Sequence, residues 1–369
     1  MTSIAIAGAG LMGRLLAWRL SRQGHAVHVY ESSSADQPAS AAYTAAGMIA
    51  PYSERSVSDE GVFKRGLQSL CLWPALLQEL HTDSGIEVAY GVGGSLLLAH
   101  PQDQQQWQRL RQQVDLYGWQ ENSDFNWLND AEVHALEPDL APSFKQGLWW
   151  PQERHIDNHA LLTALQQAAE QAGAVFHFEQ TIEEDQTQGW WCHDQRIAED
   201  RYLDCRGVGL KQSAASLPRT LRGVRGEVCR LRSRDVRLQR PVRLLHPRYH
   251  LYLVPKQIVG DEQHFVLGAT EIESEDRSSV SVRSALELLS ALYSVCPALA
   301  EARIDHFEQN LRPAYLDHCA HIDQPRPDLL RINGLFRHGY LQAPALLYEL
   351  QQQFGLALAM PTLSMEHAA

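Results

Sequence analysis

The sequence predicts two kinds of fold in one chain, an α/β part and an α+β part. At 369 residues the chain exceeds one ordinary core, so two domains are expected, and they can interleave. The first thirty residues read as strand, glycine loop, helix and strand, which is typical of a parallel α/β sheet. The segment 250–273 alternates instead as two strands about a turn at Gly260 and Asp261, which is typical of an antiparallel sheet.

The N-terminal elements are predicted from their apolar spacing. SIAIAG (3–8) is a short apolar run that ends at glycine, which predicts a buried strand. LMGRLLAWRLSRQGH (11–25) has apolar residues at helical spacing and Gly24 where a helix should end. AVHVYE (26–31) predicts a second strand, which ends in an acid.

The loop after the first strand has the GxGxxG pattern. Gly8 allows the tight turn, Gly10 lets a pyrophosphate approach the backbone, and Gly13 lets the helix pack close to the sheet. The helix N-terminus offers free N–H groups to the phosphates. Glu31 is placed to accept hydrogen bonds from a ribose hydroxyl. This context predicts a Rossmann-like dinucleotide-binding domain, although the pattern alone does not separate NAD from FAD.

Composition and charge argue against several classes of partner. With 32 basic and 44 acidic residues the formal charge is −12, which makes a poor general binder of nucleic acid or of anionic membranes. The basic segment 219–243 is explained about as well by strands with charged outer faces. Six scattered cysteines form no CxxC pair, so no metal site is predicted, and they fit a reducing compartment. With no signal-peptide pattern and no long apolar stretch, a cytoplasmic protein is expected.

The segment AAYTAAGMIAPYSE (41–54) separates the two cofactors. By its composition it predicts a packed helix start and a loop. It resembles the Ala-Ala-Gly-Met-Leu-Ala-Pro stretch of the D-amino acid oxidase superfamily, and especially of the thiamine-pathway glycine oxidases. In that family the stretch passes beside the flavin ring, which implies that Ala46, Gly47 and Met48 contact FAD. The resemblance implies a glutathione-reductase-type flavoprotein whose substrate domain is an antiparallel sheet.

Further segments match in the order that this family has. YGVGGSLLLAHPQD (90–103) resembles its early substrate-domain hairpin, and HIDNHALLTAL (155–165) resembles a turn that opens a helix. LDCRGVG (203–209) resembles the family's segment that forms a buried strand and ends in a glycine turn, which places Gly207 in that turn. The implied domains are residues 1–85, 145–215 and 305–369 for FAD and residues 86–144 and 216–304 for the substrate.

The hairpin 250–273 resembles the family's Tyr-Ile-Val-Pro-Lys and Gly-Ala-Thr strands. Tyr252 takes the place of a tyrosine that bonds the substrate carboxylate, although the strand pattern alone favours a core-facing aromatic. FEQNLRPAYLDHCAHID (307–323) resembles the family's Trp-x-Gly-Leu-Arg-Pro stretch, and Arg312 takes the place of its carboxylate clamp. A guanidinium group donates two parallel hydrogen bonds from a planar fork. Asn310 replaces a glycine and AHID replaces Pro-x-Ile-Gly, and both departures bear on the shape of the pocket.

The last segment, residues 329–354, predicts a strand, a loop and a helix with Pro344 in its first turn. It resembles the family's Gly-His-x-Arg-Asn-Gly-x-x-Leu-Ala-Pro ending, with His338 in place of asparagine. In that family the loop meets the flavin and the substrate amine, and the helix N-terminus faces the flavin N1–C2=O edge. The implied cofactor-binding residues are Gly8, Gly10, Leu11, Met12, Gly13, Glu31, Ala46, Gly47, Met48, Gly207, Gly334, Arg337, His338, Gly339 and Tyr340.

The resemblance implies oxidation of glycine, or of another small amino acid or amine, to an imine. Dioxygen is then reduced to hydrogen peroxide, and the imine serves the thiazole ring of thiamine. The implied catalytic residues are Arg312, Tyr252 and Arg337. The same residues would suit a D-amino acid or sarcosine oxidase or dehydrogenase, a tRNA-modifying FAD module, or a catalytically silent flavin-binding protein. Glycine oxidases are typically homo-oligomers, but the sequence itself shows no interface signature.

Overall fold

The computed structural model describes residues 2–185, 189–213, 217, 219–245 and 250–362. The described strands are β1 (Ser3–Ala7), β2 (Ala26–Tyr30), β3 (Met48–Ile49), β4 (Tyr90–Gly91), β5 (Ser95–Ala99), β6 (Asn126–Asn129), β7 (Gln146–Trp150), β8 (Arg154–Ile156), β9 (Val175–His177), β10 (Glu183–Asp185), β11 (Gly189–Cys192), β12 (Gln195–Ile197), β13 (Arg201–Asp204), β14 (Arg222–Ser233), β15 (Val242–Leu245), β16 (His250–Val259), β17 (Glu262–Gly268), β18 (Arg303–Ala314), β19 (His321–Arg326) and β20 (Leu329–Asn333). The described α-helices are α1 (Leu11–Arg22), α2 (Ala41–Thr44), α3 (Pro51–Glu54), α4 (Glu60–Ser84), α5 (Gln104–Tyr117), α6 (Asp130–Leu136), α7 (Asn158–Gln171), α8 (Leu210–Ser213), α9 (Val282–Val295) and α10 (Gly339–Phe354).

The first main sheet has six strands in the order β19-β20-β13-β1-β2-β9. Its strands pair in parallel except for β19, which is antiparallel to β20. The predicted strand–helix–strand start is confirmed, with the helix ending at Arg22. Ile4 and Ile6 of β1 pack with Leu15 and Leu16 of α1, and all four are almost fully buried. A parallel sheet with helices against it needs such continuous apolar strands, because both of its faces are covered.

The second main sheet has eight strands in the order β18-β14-β17-β16-β15-β5-β7-β6. It is antiparallel except for the parallel pair β15 and β5. The predicted hairpin of residues 250–273 is confirmed as β16 and β17, which turn at Gly260 and Asp261. The hairpin suggested for residues 90–103 is wrong, because β4 pairs with β8 in a separate small sheet while β5 joins the large one.

The two-part division of the chain remains a proposal. By hydrogen bonding, β7 and β18 belong to the eight-stranded sheet, although they fall in the ranges 145–215 and 305–369 assigned to the FAD domain. The boundary between residues 215 and 216, and residues 363–369, lie outside the described residues. We therefore propose a division by sheet, with β7 and β18 at the points where the chain crosses from one sheet to the other.

Pro344 lies inside α10, and the prediction that it stands in the first turn is wrong. The helix begins at Gly339, so the proline is its sixth residue. Proline has no N–H to donate to the carbonyl of Tyr340 four residues earlier. That carbonyl accepts instead from the indole Nε1 of Trp73 in α4 at 2.9 Å. A tertiary contact thus makes an interior proline tolerable here.

The arginines of the basic segment 219–243 are largely paired within the protein. Among the described residues, the pairs within 3.0 Å are Arg222–Glu273, Arg225–Glu227, Arg230–Glu308, Arg232–Asp305, Arg232–Glu262, Arg240–Glu137 and Arg243–Glu54. These contacts agree with the interpretation of the segment as strands that carry charged side chains. In the part of the chain that the structure describes, none of the helices combines the length and apolar character needed to cross a membrane.

Candidate active site

A cavity of about 990 Å³ is lined by both main sheets. Gly8 and Glu31 directly follow β1 and β2 of the six-stranded sheet, Tyr252 and Arg312 lie in the eight-stranded sheet, and His338 directly precedes α10. All the site residues expected from the sequence line this cavity except Gly13 and Gly334. Those two glycines lie behind the lining, where they allow the backbone to pack closely.

The glycine loop is built for close backbone contact. Gly8 has a φ of +95°, and a Cβ on Gly13 would overlap the carbonyl oxygen of Gly8, so α1 packs directly on the loop. The Glu31 carboxylate accepts a hydrogen bond from the N–H of Ala9 at 2.7 Å, which ties the end of β2 to the loop. Gly10 precedes α1 without any side-chain cap. The first N–H groups of α1 are therefore available to an anion.

The residues present fit FAD. Besides the uncapped N-terminus of α1, the N-terminus of α10 also lines the cavity without a side-chain cap. Two buried polar atoms on the lining, Ser40 Oγ and His338 Nδ1, have no hydrogen-bond partner among the residues that the structure describes. Buried polar atoms are rarely left unsatisfied, so these are positions where a bound polar group is expected. These features lie at both ends of the site, where the phosphates and the ring of a dinucleotide would bind.

Lys256 holds the loop at Ala46–Met48 in place by hydrogen bonds. The Lys256 ammonium donates to the carbonyl of Ala46 at 2.6 Å and to that of Ile156 at 2.9 Å. Burial lowers the pKa of Lys256 to about 7, since among the described residues no carboxylate makes an ion pair with it. The sequence motif contains this lysine, but it does not reveal that the side chain runs beneath the loop.

Arg312 and Tyr252 start on strands that are not neighbours, but both line the cavity and their side chains are close enough to interact electrostatically. The Arg312 guanidinium donates to the carbonyls of Thr270 at 3.0 Å and Arg225 at 3.5 Å. Among the described residues, no carboxylate comes within 4.0 Å of it. Burial lowers the pKa of Arg312, but an arginine so far above neutrality stays charged. Burial raises the pKa of Tyr252, so its hydroxyl stays protonated and can donate.

One carboxylate, Glu54, was missed by the sequence analysis. This residue contacts other charged side chains at the site. It accepts from Arg243 at 2.6 Å, from Arg337 at 2.6 Å, and lies 3.2 Å from His338 Nε2. Burial alone would raise the pKa of Glu54, but Arg337 and Arg243 together hold it well below its usual range. Arg337 also pairs with Glu271 at 2.9 Å. Arg337 therefore lines the cavity with its charge already neutralised by two carboxylates.

Asn310 and His338, which depart from the family pattern, each make defined contacts in the structure. The Asn310 amide donates to the carbonyl of Ala39 at 3.1 Å and to Thr44 Oγ1 at 3.2 Å, which ties β18 to the segment around α2. Burial lowers the pKa of His338, and Glu54 only partly opposes this, so the imidazole is neutral near pH 7. The AHID departure lies at β19, the edge of the six-stranded sheet, and does not line the cavity.

Comparison with known proteins agrees with the fold and with the cofactor. The model of a family described as FAD dependent oxidoreductase matches residues 3–349. The chain belongs to this family.

The similarity of this oxidoreductase to individual relatives extends over nearly its whole length. It is 35% identical to a Rhizobium etli protein named as a thiamine biosynthesis oxidoreductase, ThiO, over 95% of each chain. It is 25% identical to the glycine oxidase of Bacillus subtilis over 92% of this chain and 89% of that one. The solved glycine oxidase of Bacillus cereus superposes with a TM-score of 0.83 at 22% identity, over 96% and 98% of the two chains. The predicted fold class and the predicted cofactor, FAD, are confirmed.

Glu31 gives a first testable expectation for this oxidoreductase. Glu31→Gln should weaken FAD binding about tenfold, because a hydrogen bond to a charged acceptor contributes about 1.5 kcal/mol or more. The measurement is a titration of apoprotein with FAD, followed by protein fluorescence. Glu301→Gln, an exposed acid away from the cavity lining, is the control and should leave the Kd unchanged. Equal FAD affinity in the Glu31 variant and the control would show that the carboxylate does not contact the cofactor.

Proposed function

We propose that this chain is an FAD-dependent oxidase of glycine or of a similarly small amino acid. The reaction would produce an imine together with hydrogen peroxide. The imine would be used in the synthesis of the thiazole ring of thiamine. The proposal is supported by the 35% identity with a protein named for thiamine biosynthesis and by the relatives named glycine oxidase.

One observation carries the substrate assignment. The Arg312 guanidinium lines the cavity beside Tyr252 and has only carbonyl partners among the described residues. An arginine that lies deep in a protein is normally paired with a carboxylate, because an uncompensated charge there is costly. We propose that the missing carboxylate is that of the substrate, clamped by Arg312 and by the Tyr252 hydroxyl.

The charges around this clamp favour a substrate with one carboxylate. Three guanidinium groups, those of Arg312, Arg243 and Arg337, face two carboxylates, those of Glu54 and Glu271. One positive charge is left over, and it lies on Arg312. A monocarboxylate such as glycine balances this charge, whereas a second carboxylate beside the clamp would meet Arg243 and Arg337, which are already paired with Glu54 and Glu271.

In this proposal the protein contributes binding and orientation. Bound FAD would supply the acceptor for a hydride from the substrate α-carbon and the route by which the electrons reach dioxygen. Arg312 and Tyr252 hold the carboxylate and thereby fix the α-carbon, which is the role of a positioning clamp in catalysis. No side chain is assigned as a base, because hydride transfer from the α-carbon of a neutral amine does not require one; His338 Nε2 faces Glu54. Arg337 is proposed to act at the substrate end through its position between Glu54 and Glu271.

Location and assembly belong to the same proposal. The scattered cysteines favour a reducing compartment, and we propose that the enzyme acts in the cytoplasm. A homo-oligomer is proposed by analogy with glycine oxidases. Small amino acids and dioxygen are the only partners that the proposed reaction needs.

The proposed reaction is tested by measuring oxygen uptake and peroxide formation with a panel of amines. Glycine, sarcosine, D-alanine and D-proline are offered to the purified holoenzyme at matched concentrations. The proposal expects one peroxide per oxygen consumed and the highest kcat/KM with glycine. A higher value with sarcosine or a D-amino acid would replace glycine as the substrate. Flavin reduction without oxygen uptake would make the protein a dehydrogenase.

A further inference from the structure

Two glycines of the eight-stranded sheet lie directly beneath the proposed clamp. Gly226 in β14 stands opposite Asn310, two residues along β18 from Arg312. Gly268, at the end of β17, stands opposite both Val228 and Tyr252. Neither glycine has the positive φ that would explain it by backbone conformation. Their role must therefore lie in the space above them.

That space is filled by the two clamp side chains. A Cβ added at Gly226 would overlap the Arg312 guanidinium, with its carbon and both terminal nitrogens all within 2.7 Å. A Cβ added at Gly268 would lie 2.8 Å from the Tyr252 hydroxyl and 2.9 Å from its Cε2, and also 2.8 Å from Cγ1 of Val228 on the neighbouring strand. Real Cβ atoms do not come this close to a neighbouring heavy atom. Each glycine therefore marks a place where a clamp side chain lies flat against the sheet.

The sheet order explains why the clamp needs this arrangement. Arg312 is on β18 and Tyr252 is on β16, with β14 and β17 between them. Three strand spacings separate the two backbones by about 14 Å. To meet over one carboxylate, the arginine must cross β14 and the tyrosine must lean over β17. Any side chain at Gly226 or Gly268 would stand in the way.

We infer that Gly226 and Gly268 are positioning residues that set the location of the carboxylate clamp. This inference rests on the proposed role of Arg312 and Tyr252 as that clamp. Arg312 is long and flexible, so a methyl group at Gly226 can be accommodated by moving the guanidinium rather than the backbone. The consequence falls on ligand binding, because the hydrogen bonds to a carboxylate need the guanidinium fork in one place.

The test uses acetate, which has the carboxylate of glycine but no amine to oxidise. Acetate is titrated into the holoenzyme, and its Kd is read from the change in the absorption spectrum of bound FAD. Gly226→Ala should raise this Kd about 10- to 100-fold, with the FAD content unchanged. Gly223→Ala is the matched control on the same strand, because its methyl group would meet mainly the aliphatic side chain of Leu311, at 3.1 and 3.2 Å. The control should bind acetate within twofold of the wild type.

A double-mutant cycle separates displacement of the guanidinium from a general disturbance of the sheet. In an Arg312→Ala background there is no guanidinium to move, so adding Gly226→Ala should change the acetate Kd less than twofold. A full additional loss in that background would overturn the inference, and so would a Gly226→Ala single variant that binds acetate like the wild type. If Gly226→Ala alone is insoluble, Gly268→Ala in the same titration should also raise the Kd at least tenfold, and a wild-type Kd would overturn the inference.

The proposed function can fail separately. A wild-type enzyme that binds acetate but does not oxidise glycine would refute glycine oxidation. The inference about the glycines would still be decided by the acetate titrations.

Discussion

Replacing Arg312 by alanine is expected to lower kcat/KM for glycine by about 30- to 1000-fold, because removal of one partner from a buried charge pair costs about 2–4 kcal/mol. Among the described residues the guanidinium has only the carbonyls of Thr270 and Arg225 as partners, so its removal leaves none of their carboxylates unpaired in the free enzyme. The substitution should therefore weaken substrate binding and turnover without lowering the stability of the fold. Steady-state kinetics with glycine, together with the FAD content of the purified variant, make the measurement.

Arg312→Lys is the matched variant for this prediction. It keeps the positive charge but lacks the planar fork, so we expect a loss smaller than that of alanine but still at least tenfold. Glycine kinetics unchanged in Arg312→Ala would remove the clamp assignment. Loss of FAD together with activity would instead place Arg312 in cofactor binding.

Replacing Glu54 by glutamine is expected to destabilise the protein by about 3–5 kcal/mol, since it leaves two largely buried guanidinium groups without their shared carboxylate. Those groups belong to Arg243 and Arg337, both at 2.6 Å from Glu54. Urea unfolding of the holoenzyme, followed by tryptophan fluorescence, should show a lower midpoint. Glu271→Gln removes the second, half-exposed partner of Arg337 and should change the stability by less than about 1 kcal/mol. Equal midpoints for the two variants would contradict the assigned role of Glu54.

The effect of Glu54 should also depend on pH in a defined direction. The pKa of this carboxyl is lower in the folded protein than its usual value of 4.5. Its stabilising contribution is therefore complete above about pH 4.5 and is lost as the pH falls through the folded-state pKa. The difference in unfolding midpoint between wild type and Glu54→Gln should be constant from pH 6 to 8 and should shrink below pH 4.5. A difference that grows on acidification would contradict this assignment.

Local sequence patterns predicted the parts of the fold that depend on near neighbours. The glycine loop could be predicted because Gly8 and Gly13, which pack against each other, are close together in the sequence. The position of Arg312 at the cavity was expected from a motif, since its place in β18 follows from the order of segments. Glu54 could not be found in this way. It pairs with Arg243 across 189 residues, and an acid in a four-residue helix looks like any surface acid until both elements are placed.

Features that depend on a distant partner were also those that sequence patterns misread. The interior position of Pro344 depends on Trp73, which lies far earlier in the chain and occupies the freed carbonyl. The segment 90–103 contains two strands with a turn between them, yet each strand finds a better partner elsewhere. The role of Gly226 could not be predicted from the sequence, because the guanidinium above it belongs to a residue 86 positions later.

The measurement that tests the central claim most directly is an anaerobic titration of the purified holoenzyme with glycine, recorded in the visible spectrum. The proposal predicts that the absorption of oxidised flavin bleaches at saturating glycine and returns when air is admitted, with hydrogen peroxide formed. An unchanged spectrum at saturating glycine, in a sample that dithionite bleaches fully, would contradict glycine oxidation while leaving the FAD fold intact.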